Sequence, residues 1–294
     1  MRVAIVENTR VTHHGQVGVA LHEQAARIDL YKPWSDSRLP EADAFDALVV
    51  FGGEQSARDD HTHPYLPDLA RLMRAAGQQG KAVLGICLGS QLLARGLGAE
   101  NHLGTAPEFG WCDVTLTEAG RADPVLSHLP ATFPIFQWHS DTFTLPDGAT
   151  RLAGSPVAQN QCFRLNRATY AMQFHFEASR PVVADWNRSF PEAVERNIPG
   201  WLSTHHPEQA PRRARWPMPM ALPSRGLGLP SSKAETDTVS APISAHRSNP
   251  ARRRPSGICV KFRREFCNRI RPLHTSAAFV TAASLPLPQS VITR

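Results

Sequence analysis

Three short apolar runs constrain this chain more than any other feature. Residues 2–7, 47–51 and 81–86 are each nearly continuous in Val, Ile, Leu and Ala, and each is followed by a stretch with helical spacing. A strand that is apolar along its whole length must be covered on both faces, as in a parallel sheet flanked by helices. Helices are expected over 15–26, 63–79 and 90–96, and residues 27–31 return to extended character. In the second helix Leu66, Leu69, Leu72 and Met73 mark one face. The runs at 47–51 and 82–86 are far too short to span a bilayer.

Beyond Gly110 the texture changes. Segments 112–116, 133–138, 151–154, 161–165 and 169–176 are short and extended, separated by Pro, Asp-Gly and Gly-Ser turns. They are expected as extra strands at one edge of the sheet. A helix is expected over 180–189, after which Pro191 and Pro199 should limit regular structure. The fold class is therefore α/β, a mostly parallel sheet with helices on both faces, forming one domain over residues 1–200.

The formal net charge of +6 hides two unlike parts. Residues 201–294 carry 15 Lys and Arg against 4 Asp and Glu, with 12 of the 25 prolines, whereas residues 1–200 are acidic. The basic segment has no periodicity, which predicts disorder. Its clusters, such as Arg212-Arg213-Ala214-Arg215, could touch nucleic-acid phosphates weakly and without sequence preference. No recognition motif accompanies them, so such contact is not expected to be functional. The five cysteines (87, 112, 162, 259 and 267) include no Cys-x-x-Cys pair, which argues against a disulfide framework and a structural zinc site. No metal or other cofactor is expected. Glu7 interrupts any secretory core, making the cytoplasm the expected compartment, without membrane association.

Chemistry concentrates at three strand ends. Gly85-Ile86-Cys87-Leu88-Gly89 closes the third apolar run and opens a helix. A nucleophile on such a turn is exposed at the sheet's edge, the flanking glycines permit close backbone approach, and the helix N-terminus offers N–H groups to an oxyanion. Cys87 is thus the candidate nucleophile. Gln173-Phe174-His175-Phe176-Glu177 ends the last extended segment, where alternation would place His175 and Glu177 on one face as base and orienting carboxylate. Phe51-Gly52-Gly53 ends the second run, where a glycine pair can turn a backbone N–H toward the same edge or serve as a simple turn.

Together these motifs resemble the class I, triad-type glutamine amidotransferase domain over roughly residues 1–190. Gln137-Trp138-His139-Ser140-Asp141-Thr142-Phe143 is similar to the Trp-His-x-Asp stretch of its stand-alone, GMP-synthase-like members. The resemblance implies a flavodoxin-like sheet and a Cys87–His175–Glu177 triad that hydrolyses a glutamine side-chain amide through a γ-glutamyl thioester. It implies an oxyanion hole from the N–H groups of Gly53 and Leu88, and substrate contacts from Gly52, Gln91, His139, Ser140 and Asp141. The family often has Pro after the glycine pair and between His and Glu, where this chain has Glu54 and Phe176. No nucleotide-binding acceptor motif is visible, so the resemblance implies an ammonia-accepting synthetase partner, a simple glutaminase, or a γ-glutamyl peptidase with the same triad. A catalytically inactive regulatory homologue is the reading from a different class.

Overall fold

The computed structural model describes residues 1–204. In chain order the elements are β1 (Arg2–Val6), α1 (Gly15–Glu23), β2 (Arg27–Tyr31), α2 (Pro33–Asp36), β3 (Ala47–Val50), α3 (Leu66–Gln78), β4 (Ala82–Ile86), α4 (Leu88–Gly96), β5 (Asn101–His102), β6 (Glu108–Leu116), α5 (Glu118–Ala122), β7 (Thr132–His139), β8 (Thr142–Phe143), β9 (Thr150–Gly154), β10 (Cys162–Leu165), β11 (Thr169–Met172), α6 (Arg180–Ser189), α7 (Pro191–Asn197) and α8 (Trp201–Thr204). The expected disorder of 201–294 falls outside the described residues apart from α8, whose Trp201 meets Phe109 edge-on at 5.0 Å.

Nine strands form one sheet in the order β2-β1-β3-β4-β11-β10-β9-β6-β7. The five from β2 to β11 are mutually parallel, and the remainder form an antiparallel wing on the β11 side. The arrangement is a flavodoxin-like sheet with added strands at one edge.

Alternation explains the continuous apolar runs. On β1, Val3 and Ile5 enter one core while Ala4 and Val6 enter the other; on β3, Ala47 and Val49 part from Leu48 and Val50 in the same way. Val17 and Leu21 of α1 close the first core, and Leu66, Leu69 and Met73 of α3 with Leu92 and Leu93 of α4 close the second. Each strand therefore loses water from both faces. A third apolar cluster joins Phe136 of β7 to Val182, Val183 and Trp186 of α6.

Two expectations need correction. Pro191 does not limit regular structure but opens α7 at its first position, where the missing N–H has no helical partner to lose and the fixed φ suits the helix. The last strand stops at Met172, short of the expected 176, and His175 instead makes an isolated bridge to Phe136, its N–H donating to the Phe136 carbonyl at 2.9 Å.

Where β4 gives way to α4 the two glycines flanking Cys87 are sterically required. A methyl group on Gly85 would strike the Gly89 carbonyl, and one on Gly89 would strike the Val50 carbonyl of β3. Gly89→Ala should therefore cost at least about 2 kcal/mol of stability through overpacking against backbone that cannot yield. Urea unfolding followed by circular dichroism measures it, and an unchanged midpoint would contradict the packing described.

Candidate active site

Cys87 lies between β4 and α4 with φ 51° and ψ −112°, a conformation seldom taken by a residue with a side chain. Its N–H donates to the Met172 carbonyl of β11 at 2.8 Å, and its carbonyl accepts from Ser90 and Gln91 in the first turn of α4. The strained residue is thus tied to the neighbouring strand on one side and the helix on the other. The sulfur faces the Trp138 carbonyl at 3.6 Å.

His175 arrives from the opposite side. A first side-chain carbon at position 52 would stand 3.3 Å from Cys87 Cβ, 3.7 Å from its Sγ and 3.4 Å from His175 Cε1. The loop after β3 therefore runs past both groups at once. His175 Nδ1 meets Glu177 Oε1 at 2.7 Å. Its Nε2 is buried without a well-aligned hydrogen-bond partner, close enough to Cys87 for the two to interact electrostatically. Trp186 of α6 closes over the imidazole edge-on, with ring centroids 5.2 Å apart.

His175 and Glu177 do not meet through strand alternation as expected. Both lie beyond β11, in the bridge to Phe136 and the turn that follows. Gly15, at φ 47°, seats α1 directly on the Glu177 backbone, where a methyl group would overlap the Glu177 carbonyl. Burial works to strip the proton from His175, but the Glu177 carboxylate and the Cys87 sulfur outweigh it and push the pKa up to about 10. The imidazole therefore holds both ring protons at neutral pH. By contrast, burial and the nearby Glu108 and Asp113 raise the Cys112 thiol, and burial with Asp123 raises Cys162 well above the ordinary range. Those two thiols stay protonated and unreactive.

One cleft of about 830 Å³ is lined by every residue singled out from the sequence: Cys87, His175, Glu177, Gly52, Gly53, Leu88, Gln91, His139, Ser140 and Asp141. Gly53 is hemmed in by Asn8, Gln55 and Leu88, while Asn8 Nδ2 donates to the Phe51 carbonyl at 2.8 Å and anchors the glycine loop. Gln91 already spends its amide N–H groups on Gln173 Oε1 at 3.1 Å and the Asp141 carbonyl at 3.4 Å. The imidazole of His139 is buried between the Asp141 carbonyl and Glu108.

Sequence reasoning missed the loop between β1 and α1, which forms one wall of the cleft through Thr9, Arg10, Val11, Thr12 and His13. His13 and His14 are in that loop and half buried. His13 pairs with Asp185 at 2.8 Å, and His14 pairs with the buried Glu7 at 2.7 Å while stacking on Phe51. A polar loop carries no periodicity that would have exposed these pairings. Among the described residues no group of three His, Cys, Asp or Glu side chains is placed to hold a metal ion, and no helix is long and apolar enough to cross a membrane.

Residues 14–182 match the family described as glutamine amidotransferase class-I. The chain belongs to the class-I glutamine amidotransferase family. It is 34% identical over 180 residues to a glutamine amidotransferase-like protein, YfeJ, of Salmonella typhimurium, an alignment spanning 55% of this chain and 75% of that one. It is 31% identical over 182 residues to a glutamine-hydrolysing GMP synthase subunit of Natronomonas pharaonis, spanning 60% and 89%. Among solved structures, a glutamine amidotransferase of Thermotoga maritima superposes with a TM-score of 0.63 at 26% identity, covering 71% of this chain and 88% of that one.

The charge on His175 has a consequence for stability. Its folded pKa lies above the ordinary 6.5, so its contribution is fully present below that pH and is lost as pH rises through about 10. Urea midpoints of the wild type should fall between pH 7 and about 10.5 more steeply than those of His175→Ala. Parallel profiles would mean that His175 holds no extra proton in the fold.

Proposed function

We propose that this amidotransferase hydrolyses the side-chain amide of glutamine with Cys87 as nucleophile, His175 as proton carrier and Glu177 as its orienting carboxylate. One observation carries the reading: the Cys87 sulfur and the His175 imidazole meet at Gly52 on one rim of the sheet, with the far side of the ring held by Glu177 at 2.7 Å. A cysteine sulfur whose proton is carried by the adjacent imidazole, itself fixed by a carboxylate, is the arrangement acyl transfer requires.

The steps follow from these groups. The Cys87 thiolate attacks the glutamine Cδ, forming a C–S bond while the carbonyl oxygen takes up the negative charge. The N–H groups of Gly53 and Leu88, at the glycine loop and the start of α4, stabilise that oxyanion. Collapse breaks the C–N bond as His175 gives its proton to the departing nitrogen, leaving ammonia and a γ-glutamyl thioester. His175, now neutral, takes a proton from water, whose oxygen attacks the thioester and releases glutamate and the thiolate. Gly52, Gln91, His139, Ser140 and Asp141 border the substrate, through backbone and turn shape more than through His139's occupied ring. Because the relatives include glutamine-hydrolysing subunits of GMP synthase, ammonia delivery to a synthetase partner is the favoured use of this chemistry.

The size of the cleft favours a second substrate class. About 830 Å³ is at the upper end of small-molecule pockets and exceeds what one free amino acid fills. A γ-glutamyl peptide would present the same acyl group to Cys87 with a larger amine beyond it.

Cys87→Ala should reduce glutamate release by at least about a thousandfold while leaving the circular dichroism spectrum unchanged. Assaying glutamine beside several γ-glutamyl dipeptides, with glutamate quantified for each, ranks the two substrate classes by kcat/KM. Turnover retained in Cys87→Ala would remove the sulfur from the reaction.

A further inference from the structure

Behind the cleft lies a buried polar cluster for which the proposed chemistry has no direct use. Glu108 and His139 face each other on the first rung of the β6–β7 ladder, and both are buried. Glu108 Oε2 accepts from Gln161 Nε2 at 2.5 Å and Ser155 Oγ at 3.0 Å, and it lies 3.2 Å from His139 Nε2 at an oblique angle. Gln161 Oε1 in turn accepts from Gln137 Nε2 at 3.0 Å. On the other side of the ring, His139 Nδ1–H donates to the Asp141 carbonyl at 3.0 Å.

Burying a carboxylate beside an imidazole is costly unless hydrogen bonds offset the lost hydration, and the two donors to Glu108 hold it in one orientation against the ring. The turn at 138–141 links this pair to the cleft. It supplies the carbonyl facing the Cys87 thiol from Trp138, and all four of its residues line the cleft. Its far end is fixed by the Gly104 N–H, which donates to Asp141 Oδ1 at 2.8 Å, and by Gln91, which reaches the Asp141 carbonyl from α4. The Asp141 carbonyl is therefore shared between the nucleophile's own helix and the His139 ring, and Glu108 sets where that ring lies.

We propose that Glu108, acting through His139, is a positioning residue that holds the 138–141 turn in the shape that binds the glutamyl moiety. The proposal rests on the glutamine reading above. Glu108 touches no substrate. Its effect falls on the affinity of the cleft, because the turn is substrate wall and touches the sulfur only through the long Trp138 contact, while the Cys87 backbone and the His175 ring are held by other elements. Sub-ångström placement of such a wall is worth more than the bonds that maintain it.

The test uses the full chain and a diazoketone analogue of glutamine, which alkylates a thiol with loss of N2, and mass spectrometry follows the label on Cys87. In the wild type the labelling rate should saturate with analogue concentration. In Glu108→Gln the half-saturating concentration should rise about tenfold, with the limiting rate and the iodoacetamide reactivity of Cys87 both within about twofold of wild type. His139→Asn, which keeps a donor near Nδ1 and loses Nε2, should reproduce this shift, and the double variant should be no worse than either single one. Unchanged half-saturation in both single variants would overturn the positioning role. So would a shift accounted for by the unfolded fraction in a thermal melt, or an equal loss of iodoacetamide reactivity, either of which makes the pair merely structural. A wild type alkylated by iodoacetamide but not saturably labelled by the analogue would instead sink the glutamine reading, and this proposal with it.

Discussion

The contact on which the site depends is that between the turn around Cys87 and the carbonyl edge of β3. Gly89 lies so close to Val50 that α4 must begin directly at the end of β4, leaving Cys87 to absorb the reversal of direction in a backbone conformation unsuited to a side chain. Such strain costs roughly 1–3 kcal/mol and persists only where neighbours overdetermine the geometry. Here the Met172 carbonyl, the first turn of α4 and the buried Leu88, Leu92 and Leu93 supply that determination. A cysteine placed one residue earlier would lie in the sheet with its side chain in a core. One residue later it would face into α4's apolar packing. The strained position is the one that turns the sulfur out at the rim.

From that fixed point the rest of the site is assembled by neighbouring strand ends. β3 contributes the glycine loop, β11 leads into the His175 bridge, and β7 delivers the 138–141 turn across the wing. The parallel half of the sheet thus brings the ends of β3, β4 and β11 to one rim, as open α/β sheets do for their ligands. The antiparallel wing does something different. Through Phe136 it holds His175 by a single backbone hydrogen bond, and through α6 it closes the aromatic wall of Trp186 over the imidazole. The wing is therefore part of the site and not an ornament on the sheet edge.

These relations explain what could be read from sequence and what could not. The runs at β1, β3 and β4 were legible because burial on both faces leaves no polar residue to interrupt them. The turn at Cys87 was legible because two glycines at a strand-to-helix junction have a steric reason to be there. The start of β6 was not, since the strand was expected only from 112, and the partners that let a carboxylate be buried at Glu108, namely His139, Ser155 and Gln161, come from distant elements. Nor was α7, because a proline that starts a helix and one that ends it look alike until the preceding residue's partner is known. The spacing of His175 and Glu177 pointed to a shared face by a rule that belongs to strands, whereas the structure brings the two groups together in a turn. Two residues apart is short enough for either geometry to do so.

The charge state of His175 connects this architecture to its proposed chemistry. An imidazole that keeps its proton at neutral pH can deliver it to a departing amine without first collecting one from solvent, which suits a site walled by Trp186 and Phe136. The same proton would be a hindrance in the second half of the reaction, where a neutral base is needed. In the proposed cycle that difficulty resolves itself, because protonating the departing nitrogen leaves the ring neutral just as the sulfur is taken up in the thioester. With the thiolate gone, one of the two influences that raise the His175 pKa is gone as well. Glu177 alone then holds the ring in place for the incoming water. Hydrolysis by the proposed route would restore the pair to its starting state without exchanging charge with bulk solvent.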